Sequence, residues 1–222
     1  PPRPPRTAGL FHLALLVPDR AELARTIERV VRGGGRFTGG SDHLVSEAMY
    51  LNDPEGNGIE LYRDRPREEW RTGEGGELEM ATLPIDLDGV LAEPHAGDDG
   101  MPAGTMLGHV HLNVADLAAA EAFYSGVLGF DVVVRGYPQA LFVSAGGYHH
   151  HLGLNTWNGV GAPAAPAGSR GLEWFEIALP EATDAEVVIA RAEAAGLPVT
   201  RDEAGALLRD PAGNGVRLVG AR

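Results

Sequence analysis

DPEGNGIEL at Asp53 to Leu61 recurs as DPAGNGVRL at Asp210 to Leu218, and this repeat decides the architecture. Each copy reads as a turn rich in Asp, Pro, Gly and Asn that leads into a short strand, the pattern of a hairpin. The same elements precede both copies. Before the first, FHLALLV is a strand, PDRAELARTIERVVRGGG a helix closed by glycine after its last turn, and AMYL a strand. Before the second, WFEIAL is a strand, ATDAEVVIARAEAAG a helix and ALLRD a strand. The unit is therefore strand, helix, then two or three strands.

A third copy of this order lies between the two. GHVHLNV is its strand, DLAAAEAFYSGVLG its helix, and FDVVVRG, QALFVSA and HHLGLN its further strands. The chain thus reads as an α+β protein of three tandem βαβββ modules, spanning 9–63, 105–157 and 171–220. With linkers, the expected divisions are 1–70, a connection at 71–104, then 105–160 and 161–222. The connection is polar and Gly-rich, with IDLDGVL as its one expected short helix. PPRPPRTAG before the first module matches GAPAAPAGSRG before the last, which suggests that another module once preceded Pro1. Open sheet edges left by its absence would need covering, as a homo-oligomer could do.

Of 222 residues, 31 are acidic and 18 are Lys or Arg, for a formal net charge of -13. That balance argues against nucleic acid, whose phosphates are neutralised by clustered cations. There is no cysteine, so thiolate metal sites, disulfides and Cys nucleophiles are excluded, and any metal must use His and carboxylate. No apolar run approaches a bilayer span and nothing resembles a signal peptide. The expectation is a cytoplasmic protein acting on a small molecule.

Side chains alternate along a strand, so His12 in FHLAL and Glu60 in GIELY each stand apart from the apolar neighbours that point the other way. Aligning VPD at Val17 to Asp19 with VAD at Val114 to Asp116 gives His109 the place in its module that His12 has in the first. Two equivalent histidines plus Glu60 make a 2-His-1-carboxylate set, which leaves three positions of an octahedral iron open. His111 shares a face with His109, but Ala14 at its counterpart points to a supporting role. His95, in a Gly- and Asp-rich loop, is expected to be solvated and silent.

From His43 the chain reads HLVSEAMYLNDPEGNGIE, which resembles the signature of extradiol dioxygenases through His43, Met49, Tyr50, Asp53, Pro54, Gly56 and Glu60; Ser41 departs from it at a loop position. SEAMYL, DRPREEW and SAGGYHHHLGLNTW extend the resemblance to bacterial catechol dioxygenases of the four-module kind, within the vicinal-oxygen-chelate superfamily. The resemblance implies modules whose sheets pair into cups, and His12, Glu60 and His109 as ligands of Fe(II) or Mn(II). It implies a small aromatic diol and O2 as substrates, with ring opening beside the diol. It also places His43 and Tyr50 against substrate oxygens, and seeks a proton-transferring histidine in YHHHLGL. There His149, His150 and His151 alternate along the expected strand, and matching LGL favours His150 as the acid/base. Pocket-lining candidates are Phe142, Asn155 and Trp157.

The last module departs from this pattern. Arg217 stands where the first has Glu60, and Glu176 or, on a shifted alignment, Trp174 stands where it has His12. A cation in a ligand slot opposes metal binding, so this module is expected to be structural. Keeping His12, Glu60 and His109 in one cavity requires the first and middle modules to pair. The superfamily also holds glyoxalase-like isomerases and metal-free drug-binding proteins, which are the alternative readings; fold alone does not choose among them.

Overall fold

The structure is a computed structural model that describes residues 1–94 and 100–220; His95 lies outside the described residues. Two compact bodies are present, one of residues 11–111 and one of residues 1–10 with residues from 112 onward. The elements are mixed α+β, in keeping with the sequence.

The first body begins with β1 (Gly9–Leu16) and helix α1 (Arg20–Arg32). Asp19 starts the helix by accepting from the Glu22 N–H, Gly33 closes it, and Arg29 and Arg32 lie in its last turn, where cations meet the negative end of the helix dipole. Strands β2 (Phe37–Asp42), β3 (Ser46–Asn52) and β4 (Gly58–Asp64) follow, then the short helix α2 (Leu87–Leu91), which Asp86 caps, and β5 (Met106–Asn113). The strand order is β2-β3-β4-β1-β5, with β4 antiparallel to β3 and parallel to β1. Val17, Leu23, Ala24, Ile27, Met49, Leu61 and Val90 form the core beneath α1. The smaller cluster of Ala14, Ala48 and Tyr62 lies apart from it, with Leu16 and Tyr50 packed alongside.

In the second body, α3 (Leu117–Glu121) passes into a π-helical turn at Ala122–Val127, where sequence predicts one continuous helix. The wider turn accompanies the burial of two large rings, Phe123 and Tyr124. Strands β6 (Asp131–Val134), β7 (Ala140–Ser144) and β8 (Leu152–Asn155) pair antiparallel in turn. A four-stranded sheet then follows, ordered β10-β11-β12-β9 from β9 (Phe175–Leu179), β10 (Thr200–Asp202), β11 (Gly205–Arg209) and β12 (Gly215–Gly220), with α4 (Ala182–Ala194) between β9 and β10 in sequence. Ala185, Val188, Ile189 and Ala192 are the buried residues of α4.

The repeated DPxGNG motif explains itself in atoms. In the first copy, Asp53 Oδ1 accepts from the Glu55 and Asn57 N–H groups and Oδ2 from the Asn57 side-chain amide, each at 2.8 Å. Asp210 does the same with Ala212 and Asn214 at 2.8–2.9 Å. Gly56 and Gly213 hold φ of 89° and 92°, a region that L side chains avoid. At the motif's last glycine the strand crosses its parallel neighbour closely. A Cβ on Gly58 would strike the Phe11 carbonyl, and one on Gly215 the Glu173 carbonyl.

Identical turns titrate in opposite directions. The Asn57 hydrogen bonds draw Asp53 below the usual carboxylate range. Burial raises Asp210 against the pull of its own hydrogen bonds, including one from the Tyr124 hydroxyl at 3.0 Å. Ionised Asp53 therefore adds stability above the unfolded value, and this is lost as pH falls through the lower folded one. Ionised Asp210 costs stability as pH rises past its unfolded value. Urea titrations should show Asp53→Asn losing more at pH 7 than at pH 3, and Asp210→Asn losing more at pH 4 than at pH 7.

Candidate metal centre

Three strands carry the candidate ligands. His12 stands on β1, Glu60 on β4 and His109 on β5, with exposures of 5%, 3% and 4%. In the parallel register of β1 and β4, His12 is opposite Gly58 and Ala14 opposite Glu60, so the imidazole and the carboxylate are offset by two residues along the strands, on a shared face. Glu60 Oε2 lies 2.8 Å from His12 Nε2 and 3.2 Å from His109 Nε2. Among the described residues these form the one group of three or more His, Cys, Asp or Glu whose ligand atoms all lie within 4.8 Å.

The donor set fits a divalent ion. Two donors held at right angles about 2.1 Å from one ion lie about 3.0 Å apart, and the two measured separations straddle that value. His12 Nε2 is buried and, despite its closeness to the carboxylate, makes no hydrogen bond of acceptable geometry. A common ion would satisfy it. Burial opposes charge on Glu60, yet the His109 and His12 imidazoles hold its carboxyl well below the usual range. The carboxylate is thus the form a metal requires.

Neighbouring rings fix the two imidazoles. His111 meets His12 edge-on, with centroids 4.9 Å apart and an angle of 87°, and meets Phe11 at 5.1 Å. Burial, with His12 and His109 beside it, holds His111 well below its ordinary value, so it stands as a neutral ring against its neighbours. Tyr62 packs 4.9 Å from His109. A Cβ on Gly108 would collide with the Tyr62 hydroxyl, so the glycine before His109 is what allows this approach.

Tyr50 lies directly across β3 and β4 from Glu60, with its ring 5.7 Å from that of His12. Its hydroxyl is 2.6 Å from His43 Nε2, and His43 Nδ1 is 2.7 Å from the Ala81 carbonyl. A carbonyl can only accept, so Nδ1 carries the hydrogen; in the neutral ring Nε2 is then the acceptor and Tyr50 donates. Ala81 belongs to the 71–104 connection, in which sequence reading found no functional residue. A backbone carbonyl leaves no side-chain signal to find.

The histidine run sits in the second body and is not in a strand. β8 begins at Leu152, so His149, His150 and His151 occupy the turn before it, and strand alternation does not govern them. His149 Nδ1 is 2.7 Å from His150 Nδ1. His151 Nδ1 accepts from the Ala145 N–H at 3.2 Å. Phe142 meets His150 edge-on at 4.9 Å, and Asn155 Oδ1 accepts from the Trp157 N–H at 3.0 Å.

Register also resolves the last module. Gly215 crosses Trp174 as Gly58 crosses His12, and Arg217 pairs with Glu176 as Glu60 pairs with Ala14. Trp174 therefore corresponds to His12, and Arg217 to Glu60. The Arg217 guanidinium lies 4.8 Å over the Trp174 ring and donates to Asp202 at 2.5 Å, a cation–π and ion pair where the first module has candidate metal donors.

A family model described as the Glyoxalase/Bleomycin resistance protein/Dioxygenase superfamily matches residues 1–61 and 106–218. The catechol-2,3-dioxygenase of Bacillus subtilis (strain 168) is 45% identical over 207 residues, covering 91% of this chain and 72% of that protein. The biphenyl-2,3-diol 1,2-dioxygenase of Pseudomonas sp. (strain KKS102) is 28% identical over 165 residues, or 68% of this chain and half of that protein. Among solved structures, one from Bacillus subtilis strain 168 superposes with a TM-score of 0.66 at 13% identity, covering 97% of this chain and 64% of that one. A variant of glyoxalase I from Zea mays superposes at 0.56 and 18% identity, covering 99% and 70%; at these identities the likeness concerns the fold. The chain belongs to the glyoxalase/bleomycin resistance protein/dioxygenase superfamily.

Proposed function

We propose that this chain is an extradiol dioxygenase that opens a catechol-type ring beside its two hydroxyls, using O2 and a divalent metal, Fe(II) or Mn(II), held by His12, Glu60 and His109. The observation that carries this reading is the convergence of two imidazole nitrogens and one carboxylate oxygen on a common buried point. The names of the two dioxygenase relatives support the substrate class. When bound, the metal would neutralise a catecholate and offer three open positions to the diol and O2.

The remaining work falls to the chain. With a neutral His43 ring the Tyr50 hydrogen is directed at His43 Nε2, so what Tyr50 offers a bound diol is an oxygen lone pair, suited to accepting a substrate hydroxyl. The Ala81 carbonyl holds His43 in the tautomer that keeps this arrangement. His150 takes a substrate proton and later returns it.

Anaerobic loading with Fe(II) or Mn(II), followed by catechol and air, tests the reading. One metal per chain, oxygen uptake and a yellow ring-opened product are expected. Tyr50→Phe should retain metal while kcat/KM for catechol falls about 2- to 10-fold, the worth of one hydrogen bond between neutral groups. A protein that takes up no metal, or loads metal and leaves catechol intact, would overturn the proposal.

A further inference from the structure

We propose that His149 is a positioning residue for His150, holding its imidazole in the tautomer and orientation needed to take up and return a proton; this rests on the reading of His150 as the proton-transfer group. His149 is fully buried, His150 is 5% exposed, and their Nδ1 atoms are 2.7 Å apart. Two ring nitrogens at that separation accommodate a single hydrogen between them, so one is donor and the other acceptor. A His150 ring that accepts a proton at Nε2 must carry its own hydrogen on Nδ1. That hydrogen then points at His149 Nδ1, and His149 keeps its hydrogen on Nε2.

The proton balance follows. When a substrate O–H bond breaks and an Nε2–H bond forms on His150, the ring becomes an imidazolium and the bond to His149 becomes charge-assisted. When the proton leaves, the original bond is restored. His149 thus orients the ring and stabilises its charged form without gaining or losing a proton, as a carboxylate orients histidine in hydrolytic triads. Packing limits rotation of both rings: Phe142 stands edge-on to His150 at 4.9 Å, and Tyr148 lies 4.1 Å from His149. His151 is instead tied to the turn through Ala145.

The tautomers can be read directly by long-range proton–nitrogen NMR on metal-free protein labelled with 15N-histidine. A protonated Nδ1 on His150 and an unprotonated Nδ1 on His149 are expected; the reverse assignment overturns the proposal. His149→Leu should turn His150 into a tautomer mixture, while His149→Asn, whose side-chain oxygen can still accept, should preserve the Nδ1–H form. With metal and catechol, His149→Leu should lose about 10- to 100-fold in kcat with KM within about two-fold, and His149→Asn should recover most of it. If His149→Leu folds, by its melting curve, and leaves both the His150 spectrum and kcat unchanged, the inference fails while the role of His150 stands. If it does not fold, the unsubstituted tautomers and His149→Asn decide. His150→Gln separates the two levels, because unchanged kcat there removes the underlying reading of His150 and this inference with it.

Discussion

His12→Ala and His109→Ala should each reduce bound Fe(II) or Mn(II) from one per chain to a trace, and ring-opening activity with it. The two histidines lie 97 positions apart in sequence, on strands that the repeat assigns to different modules. Both nevertheless place Nε2 within 3.2 Å of one Glu60 oxygen. Loss of a residue that merely orients a ligand costs about 10- to 100-fold in metal affinity, so loss of one ligand of three should cost more than that. Glu60→Gln should do the same, because an amide brings no charge to the ion. Metal content measured after desalting, with circular dichroism melts to confirm folding, checks all three. If either histidine variant keeps stoichiometric metal, the shared centre proposed here is wrong.

Glu47→Leu should unfold at markedly lower denaturant, a loss of about 3–5 kcal/mol. Glu47 is 1% exposed and accepts from Arg63 Nε at 2.7 Å, Arg63 Nη2 at 2.5 Å and Arg20 Nε at 2.9 Å. Arg63 is itself 8% exposed. Removing the carboxylate leaves a buried guanidinium without its compensating charge, and that is the expensive event. Arg20 also donates to the Gly89 carbonyl and to Glu93, so the same loss loosens α2 from the start of α1. The pair replacement Glu47→Leu with Arg63→Met should recover part of the stability, since no buried charge is then stranded. Urea melts of the single and double variants measure both. A single variant within 1 kcal/mol of the parent would show the network to be energetically idle.

Much of the fold was legible because its signals are local. The DPxGNG turn needs Asp to accept three N–H groups, glycine at positive φ, and a second glycine where strands cross; each requirement leaves a letter in the sequence. Asp19 before α1 and Asp86 before α2 likewise announce their helices. His12, His109 and Glu60 could be nominated for the same reason, as polar residues at strand positions among apolar neighbours. The π-turn at Ala122–Val127 and the late start of β8 left no such mark. The first coincides with the burial of Phe123 and Tyr124 and the second with buried His149 and His150, features of packing that helix and strand preference do not report.

The sequence by itself determined the repeated strand–helix–strand order, the absence of thiol chemistry and which residues are candidates for metal donors, because periodicity, turn chemistry and composition act within a few residues of chain. Tertiary structure alone decided that the three donors face one point, that Ala81 holds the tautomer of His43, that Trp174 and not Glu176 is the counterpart of His12, and that His149 meets His150 nitrogen to nitrogen. Those are distances between groups, set by strand register and packing, and no property of the individual residues encodes them.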